Sequence, residues 1–270
     1  MNITLPDGSI RELELGSTGL DLASSIGAGL AKAALAVTVN GIQKDLNDPI
    51  NEDSKVSIIT IDSDDGLEIM RHTLTAQVLA RAVKNLFPGT KLAIGPTITD
   101  GFYYDFEFKK PISPEDLDSI EKEMKKIISS NSAITKQINT KKEAIEIFKK
   151  EGESYKESII NDSEQQDGFQ LYYQDDSKFV DLCRGPHIPS LKHIGAFKLL
   201  KIAGAYWKGN SDNKMLTRIY GTAWKNEKDL SAYLDRIEEA EKRDHRKLGK
   251  EMNLFHFQEE APGMVFWHPD

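Results

Sequence analysis

Val37-Thr38-Val39 runs directly into Asn40-Gly41. That dipeptide is the strongest short signal for a two-residue hairpin, because both turn positions need a left-handed backbone that Asn and Gly tolerate. A chain built around such a turn must place antiparallel strands near its N-terminus. The neighbouring residues agree. Ile3 and Leu5 alternate, Pro6-Asp7-Gly8-Ser9 forms a turn, and Ile10, Leu13 and Leu15 follow, which predicts a first hairpin. Leu20 to Leu35 is rich in Ala, Leu and Ile at helical spacing, and Lys55 to Ile61 is a β-branched strand. Two strands, a helix and further strands predict a β-grasp (ubiquitin-like) unit over residues 1–62. Asp62-Ser-Asp-Asp-Gly66 then reads as a polar linker.

A second unit is expected over residues 66–225. Leu74, Val78, Ala82 and Leu86 step by four and mark one apolar stripe of a helix, which Pro88-Gly89 ends. Asp100-Gly101 sits between alternating segments, and Phe102, Tyr104, Phe106 and Phe108 share one face of the returning strand. Ser113-Pro-Glu-Asp116 and Thr140-Lys-Lys-Glu143 carry helix-start signals. Phe169–Tyr173 and Phe179–Cys183 flank a polar turn and predict a hairpin, and Phe197–Ile202 and Met215–Trp224 read as strands. Together these give an α+β class. Residues 226–250 predict a charged linker helix with Leu230, Leu234, Ile237 and Leu248 inward. Residues 251–270 read as apolar, strand-like sequence with nothing to pack against, the expected mark of a truncated further domain.

Composition excludes several classes. The chain has 270 residues, 39% hydrophobic and 29% charged, which is a globular balance. No stretch approaches the roughly 18 apolar residues of a membrane span, and the opening Met1-Asn-Ile-Thr-Leu-Pro lacks a secretory pattern. A single cysteine, Cys183, excludes an internal disulfide and fits a reducing compartment, so a cytoplasmic location is expected. The net charge of −8 resides entirely in residues 1–70, which hold 4 Lys or Arg against 12 Asp or Glu. Residues 187–225 carry Lys192, Lys198, Lys201, Lys208, Lys214, Arg218 and Lys225 against one acid, Asp212. That local excess either meets nucleic-acid phosphates or is a solvated basic face.

The densest chemical cluster is Asp181-Leu-Cys183-Arg184-Gly-Pro-His187. A thiol and an imidazole at the end of a hairpin could bind a metal, act as nucleophile and base, or hold a water for attack. As a zinc site the pair is short of ligands. His72 opens the first helix of the second unit, where caps and surface histidines are also common. Tyr103, Tyr104 and Asp105 follow the tight turn and either line a pocket or fill the core. Lys156 is placed in a loop and is solvated by default.

These motifs carry a resemblance. Asp181–His187, Phe197–Gly209, Asn213–Trp224, Leu92–Pro96 and Asp100–Asp105 are similar to the second domain of bacterial threonyl-tRNA synthetases. Residues 1–62 resemble the TGS domain that precedes it. Lys242–Gly249 and Glu259–Trp267 resemble the linker helix and the entry to the class II ligase domain. The resemblance implies a parent enzyme that charges tRNA for threonine, working as a homodimer with ATP, magnesium and zinc supplied through a ligase domain absent from this chain. The 270 residues would themselves be monomeric, free of cofactor and metal, and unattached to membrane. It further implies that residues 66–225 clear serine from tRNA specific for threonine. Serine and threonine differ by one methyl group, worth only about 1–3 kcal/mol of discrimination. Asp181, Cys183 and His187 fall on the family's editing site, with Lys156 a further candidate and His72 on the facing helix. His187 is expected to position or deprotonate water, Cys183 and Asp181 to bind the seryl group and its amine, and Lys156 to stabilise negative charge. Tyr104, Gln77 and Arg184 are expected near the substrate. Lys192, Lys198, Lys201, Lys208, Lys214 and Arg218 are expected to bind tRNA.

One departure stands out. Family members commonly carry His-x-x-x-His on this helix, whereas here Gln77 takes the second place, five residues after His72. On a straight helix of about 100° per residue that separates the two by about 140°. Editing is then weakened, rearranged or lost, unless a bulge near residue 73 returns His72 to the pocket. Loss of a ligand also fits a metal-free site, unlike related alanyl-type editing domains that bind zinc. Two rivals follow: a free-standing deacylase, and a non-catalytic tRNA-binding or regulatory module.

Overall fold

The computed structural model describes residues 1–175 and 177–269. Asp176 in the polar turn and Asp270 at the end of the 251–270 segment lie outside the described residues. Two compact units result, Met1–Lys225 and Asn226–Asp270.

The first unit begins with β1 (Asn2–Thr4), β2 (Ile10–Glu12), α1 (Gly19–Ile26), α2 (Ala28–Ala33), β3 (Ala34–Val39), β4 (Ile42–Asp45) and β5 (Ser54–Thr60). The strands form one sheet in the order β2-β1-β5-β3-β4, with β1 and β5 parallel: a β-grasp. Asn40 and Gly41 both adopt positive φ at the β3–β4 turn, as their sequence requires. The helix expected from Leu20 to Leu35 is shorter. It breaks at Gly27, and Ala34 and Leu35 already belong to β3. Thr18 caps α1 in a capping box with Asp21. Ile3, Leu22, Val37, Leu46, Ile50 and Val56 pack one core on the helical face.

The other face of the sheet is also covered. Leu35, Ala36 and Ile59 join a larger core with Ile69, Met70, Leu74, Phe102, Tyr104 and Phe106. The segment read as a polar linker therefore starts a helix instead. Ser63 caps α3 (Asp64–Thr73), and Gly66 sits so close to the Thr60 carbonyl that a Cβ would lie 1.9 Å from it. A π-helical stretch, Leu74–Leu79, continues into α4 (Ala80–Leu86).

Then follow β6 (Lys91–Leu92), β7 (Thr97–Ile98), β8 (Gly101–Glu107), α5 (Asp116–Ser129), β9 (Ile134–Asn139), α6 (Lys141–Glu151) and α7 (Ser154–Asp162). The chain continues through β10 (Phe169–Gln174), β11 (Val180–Leu182), β12 (Ala196–Tyr206) and β13 (Met215–Trp224). Two sheets result, β11-β10-β9 and β12-β13-β8-β6, with β7 paired to β8. Phe102, Tyr104 and Phe106 are buried on one face of β8, as the alternation predicts. Asp116 reaches back to the Ser113 amide, and Thr140 and Glu143 close a capping box. Strand β9 was not anticipated: its burial is mixed and Thr-Lys-Gln interrupts its apolar run. Lys156 lies inside α7 and not in a loop.

The second unit contains α8 (Glu227–Lys242), α9 (His245–Glu251), β14 (Phe255–His256) and β15 (Phe266–Trp267). The single helix expected over 226–250 divides at Arg243–Asp244, where the Asp244 carboxylate accepts the Arg246 amide and caps α9. Phe255 packs on Gly249 and 5.3 Å from the Trp267 ring, so the expected strand-like run folds back as a small hairpin.

Candidate active site

The site lies where the helix of residues 64–86 meets the β10–β11 hairpin and the loop that follows it. The π-helical stretch decides what that helix presents. The Ala80 amide donates to the Thr75 carbonyl, five residues back, so one extra residue is absorbed there. Buried Thr73 and Thr75 turn their hydroxyls onto the Ile69 and Arg71 carbonyls, 2.9 and 2.7 Å away, a back-bonding that loosens helical turns. His72 Nε2 lies 2.7 Å from Cys183 Sγ.

Gln77 is placed differently from expectation. It is fully buried, and Gln174 Nε2 donates to its carbonyl oxygen at 2.7 Å and its Oε1 at 3.2 Å. Ala76, not Gln77, lies on the cavity wall beside His72. His72 and Ala76, four residues apart, share the cavity face, and Gln77 points away from it.

His187 stacks on His72, ring centroids 4.7 Å apart at 14°. Its Nδ1 is 3.0 Å from Thr73 Oγ1. The single Thr73 hydroxyl proton goes to Ile69, and the Ile188 amide donates to the same oxygen at 3.1 Å. Thr73 can then only accept from His187, so the network assigns the proton to Nδ1. Nε2 is buried and without a hydrogen-bond partner among the described residues.

Asp181 and Lys156 form a buried pair, Nζ to Oδ1 2.6 Å, with side-chain exposures of 1% and 4%. Asp181 Oδ1 also accepts the Leu182 amide at 2.8 Å, and Oδ2 accepts the Tyr104 hydroxyl at 3.1 Å. Lys156 is thus neither loop-borne nor solvated. Its ammonium sits 5.5 Å from the Tyr104 ring centre. Burial, reinforced by Asp181, raises the Tyr104 phenol well above its ordinary range, so it stays protonated and donating. Burial holds the His72 imidazole below its usual value, against an upward pull from Asp181. His72 is therefore neutral near pH 7 and can accept a proton.

These groups wall a cavity of about 980 Å³, large for a small-molecule site. His72, Tyr104, Lys156, Asp181, Cys183 and Arg184 line it. Gly95 is obligatory there, because a Cβ would fall 2.2 Å from the Tyr104 ring. Arg184 is exposed. His187 does not line this cavity. It stands behind His72 and lines a separate cleft of about 250 Å³ with Asp45, Lys136 and Tyr172. The donor atoms of His72, Cys183 and His187 lie within 4.8 Å of one another, the right types for an open three-ligand zinc site.

The basic stretch is largely neutralised by distant acids. Lys198 pairs with Glu121 at 3.0 Å, Lys208 with Asp162 at 2.5 Å, and Lys214 with Glu107. Arg218 grips Asp105 with two bonds of 2.7 and 2.8 Å and covers the Tyr103 ring. Lys225 lies 3.5 Å from Asp62. Of the six residues expected to bind tRNA, Lys192 and Lys201 have no carboxylate partner among the described residues. Sequence reasoning missed Thr73 and Asp45, since neither sits in a chemical cluster of its own.

Comparison with known families fits this architecture. Residues 1–60 match the TGS domain. Residues 170–220, which include the Cys183–His187 loop, match the "Threonyl and Alanyl tRNA synthetase second additional domain". The chain is therefore similar, over these two stretches, to domains described for tRNA synthetases. Its sequence corresponds to the N-terminal region of bacterial threonine–tRNA ligases. It is 54% identical over 268 residues to the threonine–tRNA ligase of Hahella chejuensis, covering 99% of this chain and 42% of that protein. The Marinobacter nauticus relative is 53% identical over 268 residues (99% and 41%), and that of Psychrobacter cryohalolentis 52% over 266 (98% and 41%). The chain thus spans about two-fifths of the length of these relatives.

Proposed function

We propose that residues 1–225 hydrolyse the ester of serine wrongly attached to tRNA specific for threonine. The observation that carries this reading is one cavity wall on which a neutral His72, the Cys183 thiol and the Asp181-held Lys156 converge. The volume is ample for a seryl ester on a terminal adenosine.

The chemistry is addition of water to an ester carbonyl. The water oxygen bonds to the carbonyl carbon and its proton passes to an imidazole. The carbonyl oxygen becomes an oxyanion, and the ribose oxygen leaves with a proton. His72 is the base that faces substrate, and His187 supports it from behind. Lys156, fixed by Asp181, offers positive charge to the oxyanion. Both oxygens of Asp181 are occupied, which suits anchoring Lys156 better than capturing the seryl amine. Cys183 bounds the space for the serine side chain, and Arg184 at the rim meets backbone phosphate. Serine fits because it lacks a methyl group that the attachment reaction discriminates too weakly.

For a longer protein of this type, we infer attachment of threonine to tRNA with ATP, magnesium and zinc, with tRNA as the shared partner. Among the described residues, no helix is long and apolar enough to cross a membrane.

Single-turnover deacylation tests the reading. The 270-residue chain should release serine from seryl-tRNA while threonyl-tRNA persists. Equal lifetimes of seryl-tRNA with and without the protein would overturn it.

A further inference from the structure

The imidazole stack is held partly from outside residues 66–225. Asp45, the last residue of β4 in the β-grasp sheet, lies 142 positions from His187, yet its Oδ1 accepts the His187 backbone amide at 2.7 Å. Its Oδ2 accepts the Tyr172 hydroxyl at 2.8 Å and pairs with Lys136 at 2.7 Å. The Tyr172 ring meets the His187 ring edge-on, centroids 4.3 Å apart at 69°. Its hydroxyl also occupies the place where a Gly185 Cβ would be, 2.0 Å away. Gly185 holds a positive φ, so the loop takes its shape around this tyrosine. Lys136 reaches Asp48 as well, at 2.6 Å. Burial disfavours the Lys136 charge, but bonds to both aspartates more than offset this and raise its pKa.

We propose that Asp45 is a positioning residue for the hydrolytic site, one that fixes His187, and through the ring stack His72, from the N-terminal β-grasp. The inference rests on the hydrolytic reading of the cavity. His187 has four restraints: Thr73 on Nδ1, Asp45 on the backbone amide, and the His72 and Tyr172 rings on either side. Asp45 supplies one of these directly and orients the tyrosine of another. Removing its carboxylate leaves the His187 amide without its acceptor and turns the Tyr172 hydroxyl to its remaining acceptor, Gln170 Oε1 at 3.0 Å, so the stack loses its register with the cavity. The β-grasp is thereby part of the site's scaffold and not only a preceding domain.

Three variants of the full chain test this: Asp45→Ala, Asp45→Asn and Lys136→Met. In Asp45→Ala, kcat for seryl-tRNA hydrolysis should fall by about tenfold or more with KM nearly unchanged, the signature of a misplaced group and not of lost binding. Asp45→Asn keeps a carbonyl oxygen for the His187 amide and should recover most of that loss. Lys136→Met removes the ion pair but not the amide acceptor, so it should lower Tm and leave kcat close to the parent's. Histidine-ring NMR gives a readout independent of activity: Asp45→Ala should move the His187 and His72 signals and leave His193 in place. Exchange of the His187 amide with solvent should also accelerate. Unmoved ring signals with an unchanged kcat in Asp45→Ala would overturn the proposal, as would an equal loss of kcat in Lys136→Met. A parent chain inert toward seryl-tRNA would defeat the hydrolytic reading, while the NMR comparison would still decide the role of Asp45.

Discussion

Two regions concentrate reactive side chains in the sequence, and the fold treats them in opposite ways. In the His72 helix and the 181–187 loop, polar groups converge on one another around open volume. Along residues 187–225, most of the cations are engaged by acids from elsewhere in the chain: Glu121, Asp162, Glu107 and Asp105. A cluster in sequence becomes a site only when the fold leaves its groups directed at space. The charge excess read along the β12–β13 stretch goes mostly into ion pairs, to Asp105 and Glu107 of β8 in the same sheet and to Glu121 of α5 and Asp162 of α7.

The sharpest way to break this contrast is to remove the cavity's base. His72→Ala should slow seryl-tRNA hydrolysis by about 10²–10⁴-fold, the usual value of a positioned general base, in single-turnover assays. His187→Ala should act in the same direction by disordering the stack. Next comes the buried pair. Lys156→Met strands the Asp181 carboxylate in the interior and should cost about 3–5 kcal/mol in denaturant unfolding. Lys208→Ala at an exposed pair should cost no more than about 1 kcal/mol.

The basic region yields smaller effects. If Lys192 and Lys201 meet phosphates, Lys192→Ala and Lys201→Ala should each reduce the salt slope of tRNA binding by about 0.7–0.9, whereas Lys214→Ala, its charge already paired, should change it far less. The pH dependence is smaller still. The folded pKa of His72 is depressed below the ordinary value of about 6.5. Above that pH His72 is neutral in both states and contributes no slope. As pH falls below it, the unfolded chain takes up a proton that the folded site resists, so stability declines. His72→Gln should flatten that acid limb in urea titrations. Chelation should have the least effect: with histidines as the base, EDTA should leave hydrolysis unchanged. Activity lost on chelation and restored by zinc would instead assign the His72, Cys183 and His187 cluster to a metal.

Much of this was legible from residues alone. The Asn40-Gly41 turn, the capping box at Thr140 and the aromatic alternation of β8 are local signals, and local physics satisfied them. The division of Leu20–Leu35 at Gly27 and the helical start at Ser63 depended on packing against strands distant in sequence, which periodicity does not report. At the site, the Cys183–His187 loop stood out as a motif. His72 was expected on the facing helix, with a bulge near residue 73 as the device that returns it to the pocket; the structure has a π-helical stretch at Leu74–Leu79, and the position beside His72 on the cavity wall is Ala76 and not the expected Gln77. Asp45 had no signal at all: an aspartate at the end of a hairpin strand is ordinary until the fold carries it to the His187 amide.

A crystal structure of residues 1–270 bound to a non-hydrolysable seryl amide of 3′-aminoadenosine tests the central claim most directly. The seryl group should lie inside the cavity, within hydrogen-bonding reach of His72 and beside Cys183, with Lys156 near the carbonyl oxygen. Ligand seated elsewhere, or a helix that turns His72 away from it, would contradict it.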